Sequence, residues 1–166
     1  MNAQAPRKFQ SGSRNWFAAL AAAGVPSEVV EDVEDAIGAT PVPELFPGMA
    51  AVVERLAAAH PVFVITSSRT AMVERILREH KVRGVVEVLG GDHERSKTRK
   101  IRAVRRLIGE SLPAWYVGDT IGDMLEARAA GAITVGAAWG WHGAERLLRA
   151  APDHLAHSPS DLLDLF

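Results

Sequence analysis

The 166-residue sequence contains no cysteine, which removes disulfides and thiolate-bound metals from consideration. It has almost no surplus of charge, since 19 Lys and Arg against 20 Asp and Glu leave a formal net charge of −1. A surface built to hold nucleic acid needs a basic excess, so that class of partner is set aside. No apolar run approaches the roughly 18 residues that a membrane-spanning helix requires. Residues 1–10 are polar, with Pro6, Arg7 and Lys8, and lack the apolar stretch of a secretory leader. A cytoplasmic address is the default expectation. Internal repeats and low-complexity tracts are also missing, apart from two alanine-rich helical runs.

What remains is ordinary for a soluble globular chain: 48% hydrophobic and 23% charged residues, long enough for one domain with a real core. Residues 1–13, with Ser11-Gly12-Ser13 and no periodicity, read as flexible. Residues 14–23 place Trp16, Phe17 and Leu20 at helical spacing and stop at Gly24. Pro26-Ser27 opens a second helix that runs through Ile37 and closes at Gly38. Its acidic positions, Glu28, Glu31, Asp32, Glu34 and Asp35, read as a solvated face rather than a metal cluster. The Thr40-Pro41-Val42-Pro43 stretch is a linker, which divides the chain into 1–43, a flexible start with a two-helix remnant, and a core of 44–166.

After Pro47-Gly48 the pattern alternates between helix and strand. A helix over 49–59 turns Val52, Val53 and Leu56 inward, and Val62-Phe63-Val64-Ile65 reads as a strand buried on both faces. Thr66-Ser67-Ser68 and a helix to about His80 follow. Next come a strand over 85–89 ending at Gly90-Gly91-Asp92, a basic helix over 96–108, a strand over 114–117, its helix, and a strand over 133–135. Helices near 143–150 and 159–165 finish the chain. Strands separated by helices of this length predict a mostly parallel sheet covered on both faces, a three-layer Rossmann-like α/β fold. Ligands in such sheets gather at the carboxyl ends of the strands.

Three polar signals fall at those ends. Gly118-Asp119-Thr120-Ile121-Gly122-Asp123 delivers two carboxylates where a strand becomes a helix. They make a seat for a hard divalent cation, or else Asp119 is a cap and Asp123 a surface charge. Thr66 and Ser67 offer hydroxyls and N–H groups at a helix start, suited to an anion or to plain capping. The Asp92 to Lys97 segment is the third: Lys97 opens a helix, where its charge opposes the macrodipole, and it has an anion to meet or is one surface cation among Arg95, Arg99, Lys100 and Arg102. The apolar positions Ile101, Val104, Leu107 and Ile108 make that basic helix an amphipathic surface helix rather than a nucleic-acid patch. Trp139-Gly140-Trp141-His142-Gly143 reads as aromatics packed over the sheet end in preference to a substrate loop.

In order and spacing, Leu45-Phe46-Pro47-Gly48, the strand ending in Thr66-Ser67, Lys97, and Gly118-Asp119 through Asp123 resemble the haloacid dehalogenase superfamily of hydrolases. The tail, from Glu126 through Gly131, Val135, Trp139-Gly140 and Pro152-Asp153 to Leu162-Leu163, resembles its phosphoglycolate phosphatase-like branch. The likeness spans roughly residues 44–166. It implies Mg²⁺-dependent phosphoryl transfer from a small phosphorylated metabolite, with no nucleic acid and no membrane as partner. By the resemblance, Thr66 holds a phosphoryl oxygen with Ser67 beside it, and Lys97 neutralises charge between phosphate and carboxylate. Asp119 is the main acidic metal ligand, and Asp123 supports it or acts through water. The chemistry agrees, because phosphoryl transfer depends on positioning and on cations around developing oxygen charge.

One departure matters. The superfamily opens with a strand ending in Asp-x-Asp-x-Thr, which carries its nucleophile and its general acid/base, and no Asp-x-Asp occurs here. Asp32 and Asp35 sit in the acidic helix with no apolar strand before them. The expectation is a chain that starts after that first core strand, with catalysis impaired or absent. The missing strand belongs between the strands ending at Thr66 and Asp119. Those two must then pair directly, or another segment must fill the gap, or exposed edges remain and favour a homo-oligomer. A non-catalytic phosphate- or partner-binding relative is the alternative reading.

Overall fold

The computed structural model describes residues 20, 22–38 and 40–166. The predicted flexible start and most of the predicted helix over 14–23, with Trp16 and Phe17, lie outside the described residues. Of that stretch Leu20, Ala22 and Ala23 are described, and Val25 N–H donates to Leu20 O at 3.0 Å.

Helix α1 (Ser27–Gly38) is followed by α2 (Met49–Ala57), β1 (Val62–Ile65), α3 (Thr70–Glu79), β2 (Val85–Leu89) and α4 (Lys97–Ile108). Then come β3 (Trp115–Gly118), α5 (Ile121–Ala129), β4 (Ile133–Ala137), α6 (Gly143–Leu148), β5 (His154–Ala156) and a 3₁₀ turn, Pro159–Asp164. Glu28, Glu31 and Asp32 on α1 are exposed, as a solvated face requires. The linker lies along α3, with Arg75 donating to Thr40 O at 3.3 Å and His80 Nε2 2.8 Å from Pro43 O.

Every strand pairing is parallel, but the strands form two sheets: β1 beside β2, and β3-β4-β5. Alternation along β3 sorts the core into layers. Trp115 points to the side where α2 and the 3₁₀ turn pack, with Val52, Val135, Ala156 and Leu162 buried together. Tyr116 points to the opposite side, onto Ile101 of α4 and Ala127 of α5. Ile65 of β1 packs on that same group, so α4 spans both sheets. Behind α5, Met124 and Leu147 are fully buried and join α6 to the stack. The result is the three-layer α/β arrangement read from the sequence.

The structure departs from the sequence reading in several places. Residues 62–65 were expected to be buried on both faces, yet all four are only half-buried. Among the described residues β1 pairs only with β2, β3 pairs only with β4, and no strand lies between β1 and β3, so neither facing edge is covered by a described strand. Direct pairing of β1 with β3 is therefore not what occurs. Residues 154–156, unassigned from sequence, add β5 at the far edge through register with residues 135–137. Leu107, expected on the buried face of α4, is 68% exposed.

Candidate functional site

The strand ends converge on α4. Its first residue, Lys97, reaches Asp123 Oδ1 at 2.5 Å, and Lys100, one turn on, donates to Thr66 O at 2.5 Å and Gly90 O at 3.1 Å. One helix thus touches the carboxyl ends of both sheets, through Thr66 on one side and Asp123 on the other. Lys100 is the correction here. Grouped with surface cations in the sequence, it is 2% exposed.

Asp123 is neither a surface charge nor an isolated metal ligand. It is 3% exposed, and its Oδ2 accepts from Thr120 N–H (3.2 Å) and Thr120 Oγ1 (2.7 Å), while Oδ1 accepts from Lys97 and from Tyr116 OH at 3.3 Å. Thr120 returns the bond, accepting from Asp123 N–H at 3.0 Å, which makes a capping box at the start of α5. The cap is Thr120, so the capping role considered for Asp119 does not hold. Burial alone would push the Asp123 carboxyl up, but the Lys97 ammonium and the bonds from Lys97, Thr120 and Tyr116 hold it below the ordinary value. Tyr116, driven by burial and then by Asp123, has its phenol raised well above its usual value and stays protonated as the donor. Gly118 makes this fold-back feasible, because a Cβ there would fall 2.5 Å from Asp123 Cβ.

Asp119 has a different setting. Its Oδ2 accepts from Trp141 N–H at 2.8 Å, its carbonyl accepts from His142 N–H at 3.1 Å, and Oδ1 has no hydrogen-bond partner among the described residues. The 139–143 loop therefore does more than pack. Trp139 joins the core group around Val135, whereas the Trp141 indole is 82% exposed and only its backbone serves the site. His142 Nδ1 accepts from Ile121 N–H at 2.9 Å, and burial, then Arg146, lowers its basicity, so the ring sits neutral at the start of α5.

The Thr66-Ser67 end also differs from plain capping. Arg69 is the N-cap of α3 but its side chain does not do the capping, and Asp92, from beyond β2, accepts from Thr70 N–H and Oγ1, each at 2.9 Å. Thr66 Oγ1 accepts from Ser68 N–H at 3.0 Å, which leaves its own hydroxyl proton to give. Ser67 lies half-buried next to it.

The donor set suits Mg²⁺ with one direct carboxylate. Asp119 keeps an open oxygen, while all of Asp123's near bonds go to donors, so Asp123 would contribute through water. No group of three or more His, Cys, Asp or Glu able to hold a metal occurs among the described residues. Nor is any described helix long and apolar enough to cross a membrane.

Asp92, Lys100, Tyr116, Glu126 and His142 were not assigned site positions from sequence. Glu126 is 4% exposed, and its Oε2 accepts from Thr98 N–H at 3.0 Å, fastening α5 to the first turn of α4. The only available signal was spacing: Glu126 follows Asp123 by three residues and Lys100 follows Lys97 by three, the same-face interval of a helix.

A profile of the haloacid dehalogenase-like hydrolases matches residues 2–131. A phosphoglycolate phosphatase of Synechococcus elongatus is 33% identical over 126 residues, which are 74% of this chain and 59% of that protein. One from Vibrio parahaemolyticus is 29% identical over 127 residues, 73% of this chain and 56% of that protein. A haloacid dehalogenase-like hydrolase structure from Streptococcus pneumoniae superposes with a TM-score of 0.68 at 26% identity, covering 74% of this chain and 60% of that one. The chain thus spans somewhat over half the length of the curated relatives it matches. With the profile running through most of its length, the chain belongs to the haloacid dehalogenase-like hydrolases.

Proposed function

We propose that this chain is the phosphate-holding body of a Mg²⁺-dependent phosphatase for a small phosphomonoester of the phosphoglycolate kind. The observation that carries the reading is the Lys97–Asp123 pair at 2.5 Å, set under the same helix that touches Thr66. Asp123 fixes the Lys97 ammonium at the rim, where it would meet phosphoryl oxygens. The Thr66 hydroxyl donates from the other side, with Ser67 next to it. Asp119 would hold the metal through its open oxygen. Bound Mg²⁺ would supply positive charge against the phosphoryl oxygens while retaining several waters. The substrate class follows the relatives, which are named phosphoglycolate phosphatases.

Holding a phosphoryl group does not provide an attacking atom. With no Asp-x-Asp in the sequence, these residues bind and neutralise but do not attack. That no described strand pairs with the facing edges of β1 and β3 supports the second reading, a non-catalytic phosphate- or partner-binding protein. Calorimetry with Mg²⁺ and inorganic phosphate, run beside a phosphatase assay on phosphoglycolate, tests both. Linked binding that Lys97→Met and Asp119→Asn each remove is expected, with little or no turnover. Fast turnover would overturn the non-catalytic reading. Absence of any linked heat would overturn the phosphate site itself.

A further inference from the structure

A buried ammonium is unfavourable unless its donors are met. Lys100 is 2% exposed, yet it forms no close ion pair among the described residues; its amine spends two donors on backbone carbonyls, Thr66 O and Gly90 O. Those carbonyls stand just past the carboxyl ends of β1 and β2. Glu94 and Asp92 from the β2–α4 loop, Glu126 from α5 and Lys97 from its own helix supply the surrounding charge.

The effect on Thr66 is specific. Its N–H donates to Leu89 O at 3.1 Å, its Oγ1 accepts from Ser68 N–H, and its carbonyl accepts from Lys100. Every polar atom of the residue is engaged except the hydroxyl proton, and Lys100 supplies the bond that fixes the peptide plane. Because Lys97 and Lys100 are three residues apart on one helix, the tether also sets how far Thr66 stands from the Lys97 ammonium.

We propose that Lys100 is a positioning residue for the phosphate site, clamping the Thr66 carbonyl so that the Thr66 hydroxyl and Lys97 face one anion. The inference rests on the phosphate reading above. Lys100 itself touches no ligand. Burial, and then Lys97, lowers its proton affinity to about 8, so the clamp loses its charge as pH rises through that value.

The test is calorimetric titration of the full chain with inorganic phosphate and Mg²⁺ at pH 7 and pH 9. It is run on wild type, Lys97→Met, Lys100→Met and Lys100→Arg, with circular dichroism to check folding. Wild type binds at pH 7 and weakens several-fold at pH 9. Lys100→Met, folded, binds on the order of tenfold more weakly at pH 7, as expected for loss of a charge-assisted bond. Lys100→Arg recovers most of the affinity and no longer weakens at pH 9, because guanidinium keeps its proton. A folded Lys100→Met that binds and titrates like wild type overturns the inference and leaves the phosphate site standing. If wild type gives no phosphate heat, the site and its clamp fall together. If Lys100→Met does not fold, a wild-type affinity that stays flat between the two pH values overturns the clamp alone.

Discussion

At Gly140 there is no room for a side chain, since a Cβ would fall 2.2 Å from Asp119 Cβ and 2.6 Å from its Oδ2. The loop passes that close so that Trp141 N–H can meet the same carboxylate. Gly140→Ala must therefore push the loop and Asp119 apart. We expect about 1–3 kcal/mol of destabilisation, the usual cost of forcing extra volume into a packed place. Urea denaturation checks it, and an unchanged midpoint would mean that the loop yields freely. Little of this was legible beforehand. Asp119, Asp123, Thr66 and Lys97 could be picked out because their spacing follows strand ends. Lys100 could not, since a lysine in a run of arginines looks solvated until the carbonyls of residues 66 and 90 are brought over it. For Asp123 the position was legible but its partner was not, since Lys97 lies 26 positions away.

Among the elements, α4 shows how a basic helix is used internally. Arg102 donates to Ala129 O at 2.7 Å and Arg105 to Ala130 O at 2.9 Å, so both cover the carboxyl-terminal carbonyls of α5. In return Glu126 of α5 caps α4 at Thr98, and Thr98 Oγ1 donates back to Glu126 O at 3.1 Å. The two helices satisfy each other's open ends. Glu126→Ala should cost about 1 kcal/mol, as for a lost N-cap, and should raise amide exchange in the first turn of α4. Exchange unchanged at Thr98 and Arg99 would show that Ser96, which accepts from Arg99 N–H, caps the turn alone. Strands β1 to β4 were readable because apolar, β-rich runs alternate with helical ones. Strand β5 was not: three residues, His154–Ala156, are too few to show a period. What fastens the edge just before it is a side chain, Asp153, whose Oδ2 takes both the N–H and the hydroxyl of buried Thr134.

For the whole molecule the open edges decide behaviour. Among the described residues nothing pairs with the facing edges of β1 and β3, which lie beside half-buried apolar residues, and Val117 is 38% exposed. Unpaired edges recruit further strands. We expect concentration-dependent self-association in sedimentation velocity; a constant monomer mass up to high concentration would show that the edges are shielded. Among the described residues no ladder of hydrogen bonds runs between the two sheets. They are joined by side chains reaching from α4, with α2 packed across the opposite layer. Under tension, then, the molecule has a seam: β1 and β2 would part from β3, β4 and β5 by sliding helices, at lower force than any strand would peel from its neighbour. The two lysines of α4 are stitches across that seam.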